Sequence, residues 1–118
     1  MGPLNPPFTE FLKSPDRGQI SVNISKPGIT KGNHWHHTKN EKFLVVLGEA
    51  IFNYRNIQTN EEYSIATNSD RLQIVETIPG WAHNIENIGE SEMLVILWAN
   101  EVFDKEKSDT YAYLIKKT

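Results

Sequence analysis

The chain has 118 residues, of which 38% are hydrophobic and 23% are charged. This composition is typical of one globular domain and excludes a disordered chain. Its net charge of −3 lacks the basic footprint that nucleic-acid binding requires. The absence of cysteine excludes disulfides and thiolate metal sites, and it fits our prediction of a cytoplasmic protein.

The chain begins with a proline-rich segment, and we predict that residues 1–14 form an N-terminal arm. Within it, only FTEFLK has a pattern compatible with a short helical turn. The start of the chain has neither the basic residues nor the apolar run of a signal peptide. Residues 15–118 are predicted to form a single domain, because no linker, repeat or low-complexity tract interrupts them.

Short segments with alternating side chains follow one another along the domain. QISVNI places Ile20, Val22 and Ile24 on one face. Similar alternation or β-branched content recurs in AIFNYRNI, EYSIA, LQIVET and YAYLI. KFLVVL and MLVILWA are apolar on both faces, as in strands buried on both sides, and both are far too short to span a membrane. Turn signals separate the segments, so the sequence predicts an all-β antiparallel sandwich or barrel.

Three of the four histidines lie within four positions of one another. His34 and His36 are separated by one residue, which in a strand puts both imidazoles on the same face, roughly 7 Å apart. Glu41 follows a plausible turn and can lie beside them on the adjacent strand. Because converging imidazoles and a carboxylate suit a divalent metal, this segment predicts a metal site.

His83 is predicted to be the fourth ligand, since it follows a tight turn and begins another strand. The pattern GxxxxxHxHxxxxExxxxxxG, which is the first cupin motif, is matched at every position over residues 28–48. Residues 80–87 match the core of the second motif, GxxHxxxN. The second motif departs from its usual form at Pro79, which directly precedes the motif glycine, and this leaves the shape of that loop open.

Longer stretches resemble one bacterial family. The segments GQISVNISKPGITKGNHWHHTKNEKFLVV, HNIENIGES and WANEVFD are similar to the C-terminal cupin domain of the CapF family, bifunctional enzymes of capsular polysaccharide synthesis. The resemblance extends from about Phe8 to Tyr113. It implies a cupin fold, which is a jelly-roll-like antiparallel β-barrel. It also implies that the domain binds zinc and epimerises C3 of a UDP-linked 2-acetamido-2,6-dideoxy-4-hexulose.

In the same family, a short-chain reductase domain then reduces the C4 ketone with NADPH. This sequence contains no Gly-x-Gly-x-x-Gly fingerprint and no βαβ pattern. The resemblance therefore implies a nucleotide-sugar substrate and a separate short-chain reductase as a partner.

Individual residues outside the ligand group are candidates for proton transfer and for substrate binding. Epimerisation beside a ketone needs a proton carrier on each face of the sugar ring. Tyr54 is a candidate acid, with core packing as the alternative, and His37 could act only if the chain turns there, because strand alternation points it away from His36. The cations that could meet the UDP diphosphate, rather than being plain surface charges, are Lys31, Lys39 and Arg55.

Three other functions remain open at this point. A nucleotide-sugar 3,4-ketoisomerase would use the same enediolate, and a cupin oxygenase would use two histidines and a carboxylate to hold iron. A non-catalytic sugar-binding cupin would keep only the fold. The ligand set itself does not distinguish zinc from manganese, iron, cobalt or nickel. MLVILWAN is apolar on both faces, so one face needs a cover, which is either the second sheet or a partner subunit. Cupins related to sugar epimerases commonly form dimers, and this resemblance implies a homodimer.

Overall fold

The computed structural model describes residues 8–14, 18–100 and 110–115. In these ranges the chain forms ten strands, paired antiparallel in two five-stranded sheets, and no helix. The strands are β1 Phe8–Ser14, β2 Gly18–Ser25, β3 Thr30–Trp35, β4 Glu41–Leu47, β5 Glu49–Asn56, β6 Glu62–Asn68, β7 Ile74–Thr77, β8 Trp81–Asn87, β9 Met93–Ala99 and β10 Tyr111–Ala112. The first sheet has the order β1-β2-β9-β4-β7, and the second has the order β10-β3-β8-β5-β6.

The predicted all-β fold is confirmed, with one local correction. The segment FTEFLK does not form a helical turn, because residues 8–14 are strand β1, which pairs with β2. A single helical turn is unfavourable in isolation, whereas this segment gains a ladder of backbone hydrogen bonds along the first sheet. β1 lies within the range predicted as the N-terminal arm. Among the residues that the structure describes, no helix is long and apolar enough to cross a membrane.

The core lies between the two sheets. Phe43 and Val45 face inward from β4, and the rings of Phe43 and Phe52 are 5.4 Å apart between centroids. Val75 and Val95 extend the same cluster from the neighbouring strands of the first sheet. Burying each such side chain stabilises the fold by about 1.5–3 kcal/mol, so these residues hold the two sheets together around the site described below.

Strand β2 presents its polar side chains to the interior. Ser21 and Ser25 are each 1% exposed, and Asn23 pairs with the core residue Val95. The hydrophobic residues of QISVNI therefore share one face, as predicted, but that face is the outer one. The interior thus has an apolar part and a polar part, and the polar part lies along β2.

Candidate metal centre

The four predicted ligands come from three segments that meet inside the domain. His34 lies near the end of β3, and His36 follows just after that strand. Glu41 is the first residue of β4, after the short connection from β3. His83 lies in β8, where it pairs in register with His34. The β3–β4 connection and the β3–β8 ladder therefore bring together residues that are far apart in the sequence.

The distances between these side chains define a compact group. Oε1 of Glu41 lies 2.9 Å from Nε2 of His36 and 3.4 Å from Nε2 of His83. The ring centroid of His34 lies 4.9 Å from that of His36 and 4.7 Å from that of His83. Each residue offers one ligand atom, and these atoms all lie within 4.8 Å of one another.

Burial and mutual interactions set the charges of this group. Burial, together with the nearby His83, lowers the pKa of His34 to about 4, so its imidazole is neutral at neutral pH. Burial alone would raise the pKa of Glu41, but hydrogen bonds from His36 and His83 outweigh it and hold that pKa well below its usual value. A neutral imidazole and an ionised carboxylate are the forms that bind a metal.

The donor set fits a divalent metal. Three imidazoles and one carboxylate match the ligand types of zinc and of several other transition metals. Nδ1 of His83 is buried and has no hydrogen-bond partner among the described residues, although burying a polar atom without a partner is costly. The contacts among the described residues therefore do not satisfy both nitrogens of this buried ring.

The loop before His83 is bonded to the segment of His36 despite the shifted proline. Gly80 has a φ of 84°, a conformation that glycine adopts without strain. Its N–H donates to the backbone oxygen of His36 at 2.9 Å. The turn therefore connects the segments that carry His36 and His83, which answers the question that Pro79 left open.

The structure separates the two candidate proton carriers. Tyr54 faces the interior, is 1% exposed and pairs with His83, and its hydroxyl donates to the backbone oxygen of Glu76 at 3.0 Å. Burial raises its pKa above the usual value, so the phenol is protonated at neutral pH. His37 is exposed and packs against Trp35, with 4.6 Å between ring centroids. The structure does not bring His37 into the group of four.

The three predicted cations also divide between the two sides. Nζ of Lys31 donates to Oδ1 of Asn23 in the interior, and burial lowers its pKa. Lys39 is 7% exposed, and its charge acts on His34. Arg55 neighbours the inward-facing Tyr54 and therefore lies on the outer face, where its Nη1 is 3.6 Å from Oε1 of Glu62.

Two features near the site were missed by the sequence reasoning. The first is the polar face of β2, where Nε2 of Gln19 donates to Oγ of Ser21 at 3.1 Å. The second is the aromatic contact around the predicted Tyr54: the ring of Tyr63, a residue that is 43% exposed, stacks on Tyr54 at 4.6 Å and contacts Trp81 at 5.4 Å. The signal for the first was present, since glutamine, serine and asparagine alternate with the hydrophobic residues of QISVNIS. The second depends on pairing between strands.

Comparison with known proteins gives the site its context. The family described as "Polysaccharide biosynthesis C-terminal domain" has a model that matches residues 6–111. The chain belongs to this family. This polysaccharide biosynthesis C-terminal domain is 55% identical to the UDP-2-acetamido-2,6-beta-L-arabino-hexul-4-ose reductase of Pseudomonas aeruginosa, over 89% of the chain and 28% of the relative.

Solved structures agree with that assignment. The domain is similar to the capsular polysaccharide assembling protein CapF of Staphylococcus aureus, with a TM-score of 0.93 and 51% identity over 98% of this chain and 31% of that one. It also resembles a dTDP sugar isomerase from Desulfovibrio desulfuricans, with a TM-score of 0.75 and 12% identity over 84% and 66% of the two chains. The second likeness shows the fold alone. The chain thus spans about a third of CapF, and the predicted cupin fold and CapF resemblance are confirmed.

Proposed function

We propose that this domain is a metal-dependent epimerase that acts at C3 of a UDP-linked 2-acetamido-4-keto-6-deoxyhexose in capsular or surface polysaccharide biosynthesis. The observation that carries the proposal is the group of three histidines and Glu41 inside a domain related to CapF. The sugar class follows the name of the Pseudomonas aeruginosa relative, a reductase of a UDP-linked 2-acetamido-hexul-4-ose. A sugar-modifying cupin of polysaccharide biosynthesis is the broader class to which this function belongs.

Zinc is the metal that we propose for the site. When bound by His34, His36, Glu41 and His83, it would act as a Lewis acid that stabilises the negative charge developing on the C4 oxygen as the C3 proton leaves. The protein contributes the preorganisation of the four side chains. Glu41 is ionised and His34 is neutral at neutral pH, so no proton has to be displaced from either residue.

The interior side chains around the ligands would hold the sugar and move the proton. Tyr54 is our proposed proton donor, because its neutral phenol lies in register with His83 and can exchange its bond to a backbone oxygen. Lys31 and Lys39 are the cations on the interior side, and we propose them as the contacts of the diphosphate. Arg55 lies on the outer face and His37 is exposed in the connection after β3, so the proposal does not depend on them.

A short-chain reductase is the proposed partner. An epimerised 4-keto sugar still carries its ketone, which a hydride donor can reduce. The Pseudomonas aeruginosa relative is named as a reductase, and this domain matches 28% of it. We therefore place the epimerisation before a reduction that a reductase domain carries out.

Proton exchange at C3 tests the proposed activity. The protein is incubated in deuterated water with UDP-linked 2-acetamido-4-keto-6-deoxyhexoses, without any nicotinamide cofactor, and the C3 proton signal is followed by NMR. We expect the signal to disappear, because deprotonation at C3 followed by reprotonation from solvent introduces deuterium. A chelator should stop the exchange, and zinc should restore it.

The outcomes of this experiment separate the alternatives. Exchange with inversion at C3 supports the epimerase, whereas movement of the carbonyl to C3 would identify a ketoisomerase. Turnover that requires iron and consumes oxygen would identify an oxygenase. If metal-loaded protein shows no exchange on any of these sugars, the epimerase proposal is wrong and the domain is a binding cupin.

A homodimer is the second part of our proposal, and the outer face of the first sheet is its interface. Val22, Ile96, Leu44 and Ile74 are successive neighbours in one row across four strands. Ile96 and Ile74 are 37% and 64% exposed. Monomeric proteins rarely leave contiguous apolar surface of this kind uncovered, and a second copy can cover it through a two-fold interface.

Replacing Ile96 with lysine should convert the dimer to monomer, because two charges would be buried near the centre of the proposed interface. Analytical ultracentrifugation measures the change. Ile88→Lys is the control, since Ile88 is 48% exposed but follows β8 in the other sheet. An Ile96→Lys protein that stays dimeric would place the interface elsewhere, and a monomeric wild type would exclude the homodimer.

A further inference from the structure

The end of strand β3 departs from regular alternation at a point that affects the metal site. Lys31 pairs with Ile85, and His34 pairs with His83. Ile85 belongs to the core, and His83 lies two residues before it, so both face the interior. In a regular strand, residues three apart face opposite sides. Lys31 and His34 can both face inward only because the register shifts between them.

Asn33 occupies this shift. The register of β3 with β8 is irregular between Gly32 and His34, and Asn33 has a φ of 57°. Such a bulge inserts one residue into a strand and reverses the alternation after it. Without it, the imidazole of His34 would face the outer side of the sheet. Asparagine is among the few residues that adopt a left-handed conformation readily.

A row of hydrogen-bonded side chains holds Asn33 in place. On the outer face of the second sheet, Oγ of Ser64 donates to Oδ1 of Asn53 at 2.7 Å, and Nδ2 of Asn53 donates to Oδ1 of Asn84 at 2.8 Å. Nδ2 of Asn84 then donates to Oδ1 of Asn33 at 3.0 Å. The same oxygen of Asn33 accepts the N–H of Ile115 at 3.2 Å. We call the three asparagine side chains the amide row, and Ser64 lies beyond its exposed end.

The amide row lies directly beside the row of site residues. Each of its asparagines is adjacent in sequence to an inward-facing site residue: Asn33 to His34, Asn84 to His83, and Asn53 to Tyr54. The inward-facing residues are themselves paired across β3, β8 and β5. An outer row that fixes the register of these strands therefore also fixes the relative positions of the interior side chains.

We propose that Asn33 is a positioning residue of the metal centre. Its left-handed backbone turns His34 inward, and its side-chain oxygen, held by Asn84 and by the N–H of Ile115, keeps the bulge in register. The inference rests on the proposed function only in taking the group of four as the metal site. It assigns to the outer amide row the task of aiming an interior ligand.

Three substitutions of Asn33 separate the backbone from the side-chain contribution. Asn33→Asp keeps an oxygen that can accept both hydrogen bonds and tolerates the left-handed conformation. Asn33→Gly keeps the conformation and loses the hydrogen bonds. Asn33→Val disfavours the conformation and loses the hydrogen bonds as well. Asn84→Ala removes the donor and leaves Asn33 unchanged. Ser64→Ala removes only the exposed contact beyond the amide row and is the control.

The primary measurement is the affinity for cobalt(II), together with its visible absorption spectrum, which reports the number and type of ligands. We expect Asn33→Asp and Ser64→Ala to match the wild type. Asn33→Gly and Asn84→Ala should bind more weakly, and Asn33→Val should lose about 10–100-fold in affinity, the range seen when the partners of a ligand are removed. Its spectrum should indicate one histidine fewer.

A second measurement needs no metal. In the metal-free protein, the rate at which diethylpyrocarbonate modifies His34 is followed by mass spectrometry, and it should rise in Asn33→Val and Asn84→Ala because the ring turns outward. Wild-type spectra and modification rates in both variants would overturn the inference. If the wild type binds no metal at all, the proposed function fails, while the modification rates still decide the role of Asn33. Should Asn33→Val not fold, Asn84→Ala and Asn33→Gly decide it.

Discussion

Replacement of Glu41 with glutamine is expected to lower the affinity for zinc by more than about 100-fold, beyond the loss seen when only a supporting partner is removed. Glu41 is the one carboxylate in the group of four, and its Oε1 lies within 3.4 Å of both His36 and His83. A neutral amide cannot replace the negative charge that holds a divalent ion there. His36→Ala should have a similar effect, because His36 is buried and its Nε2 lies 2.9 Å from Oε1 of Glu41. Elemental analysis of the purified proteins measures the metal content.

In the Glu41→Gln protein, the rate of proton exchange at C3 should decrease together with the metal content, since the charge on the C4 oxygen would lose its main stabilisation. Glu76→Gln is the matched control. Glu76 is an exposed carboxylate on β7 that pairs with Lys42 on the outer face of the first sheet, so its substitution should leave metal content and exchange unchanged. Equal metal content in the Glu41→Gln and wild-type proteins would remove Glu41 from the site.

Replacement of Gly32 with alanine is expected to destabilise the protein by about 3 kcal/mol or more, in the upper range for single substitutions. A Cβ on Gly32 would lie 2.9 Å from the backbone oxygen of His83 and 3.0 Å from Cα of Asn84, in a backbone with a φ of 105°. Backbone atoms cannot move aside as a flexible side chain can. The substitution should therefore separate β3 from β8 at the level of His34 and His83, and it should weaken metal binding as well.

Gly28→Ala is the control that isolates the crowding. Gly28 has a φ of 82°, but a Cβ there would meet nothing within 4 Å. Gly28→Ala should lower the free energy of unfolding by only about 1–2 kcal/mol, the cost of a left-handed backbone for alanine. Its metal affinity should be unchanged. Thermal unfolding, followed by circular dichroism with and without zinc, compares the two variants. Equal melting temperatures for both would mean that the contact between β3 and β8 at Gly32 is not as close as the structure has it.

Local patterns predicted much of this molecule. Strands were readable because alternation of side chains is a property of each segment by itself, as in AIFNYRNI, where Ala50, Phe52 and Tyr54 lie in the core. The four ligands were readable because motif spacing reflects how many residues a turn or a strand needs between two points. The resemblance to CapF was readable because its long matching segments lie within the chain itself. The short segment FTEFLK was read wrongly because its state depends on pairing with β2.

Only the tertiary structure decided which side of each strand faces the interior. Alternation divides QISVNIS into a polar and an apolar face but does not say which one is buried. That choice depends on β9, about 75 residues later, where Asn23 meets Val95 and Val22 meets Ile96. The same holds for Asn33, whose bulge turns His34 inward, and for Tyr54, which lies inside while Arg55 lies outside. The sequence determined which residues can bind a metal or pair as strands, because those are local properties, and distant strand partners determined where each side chain points.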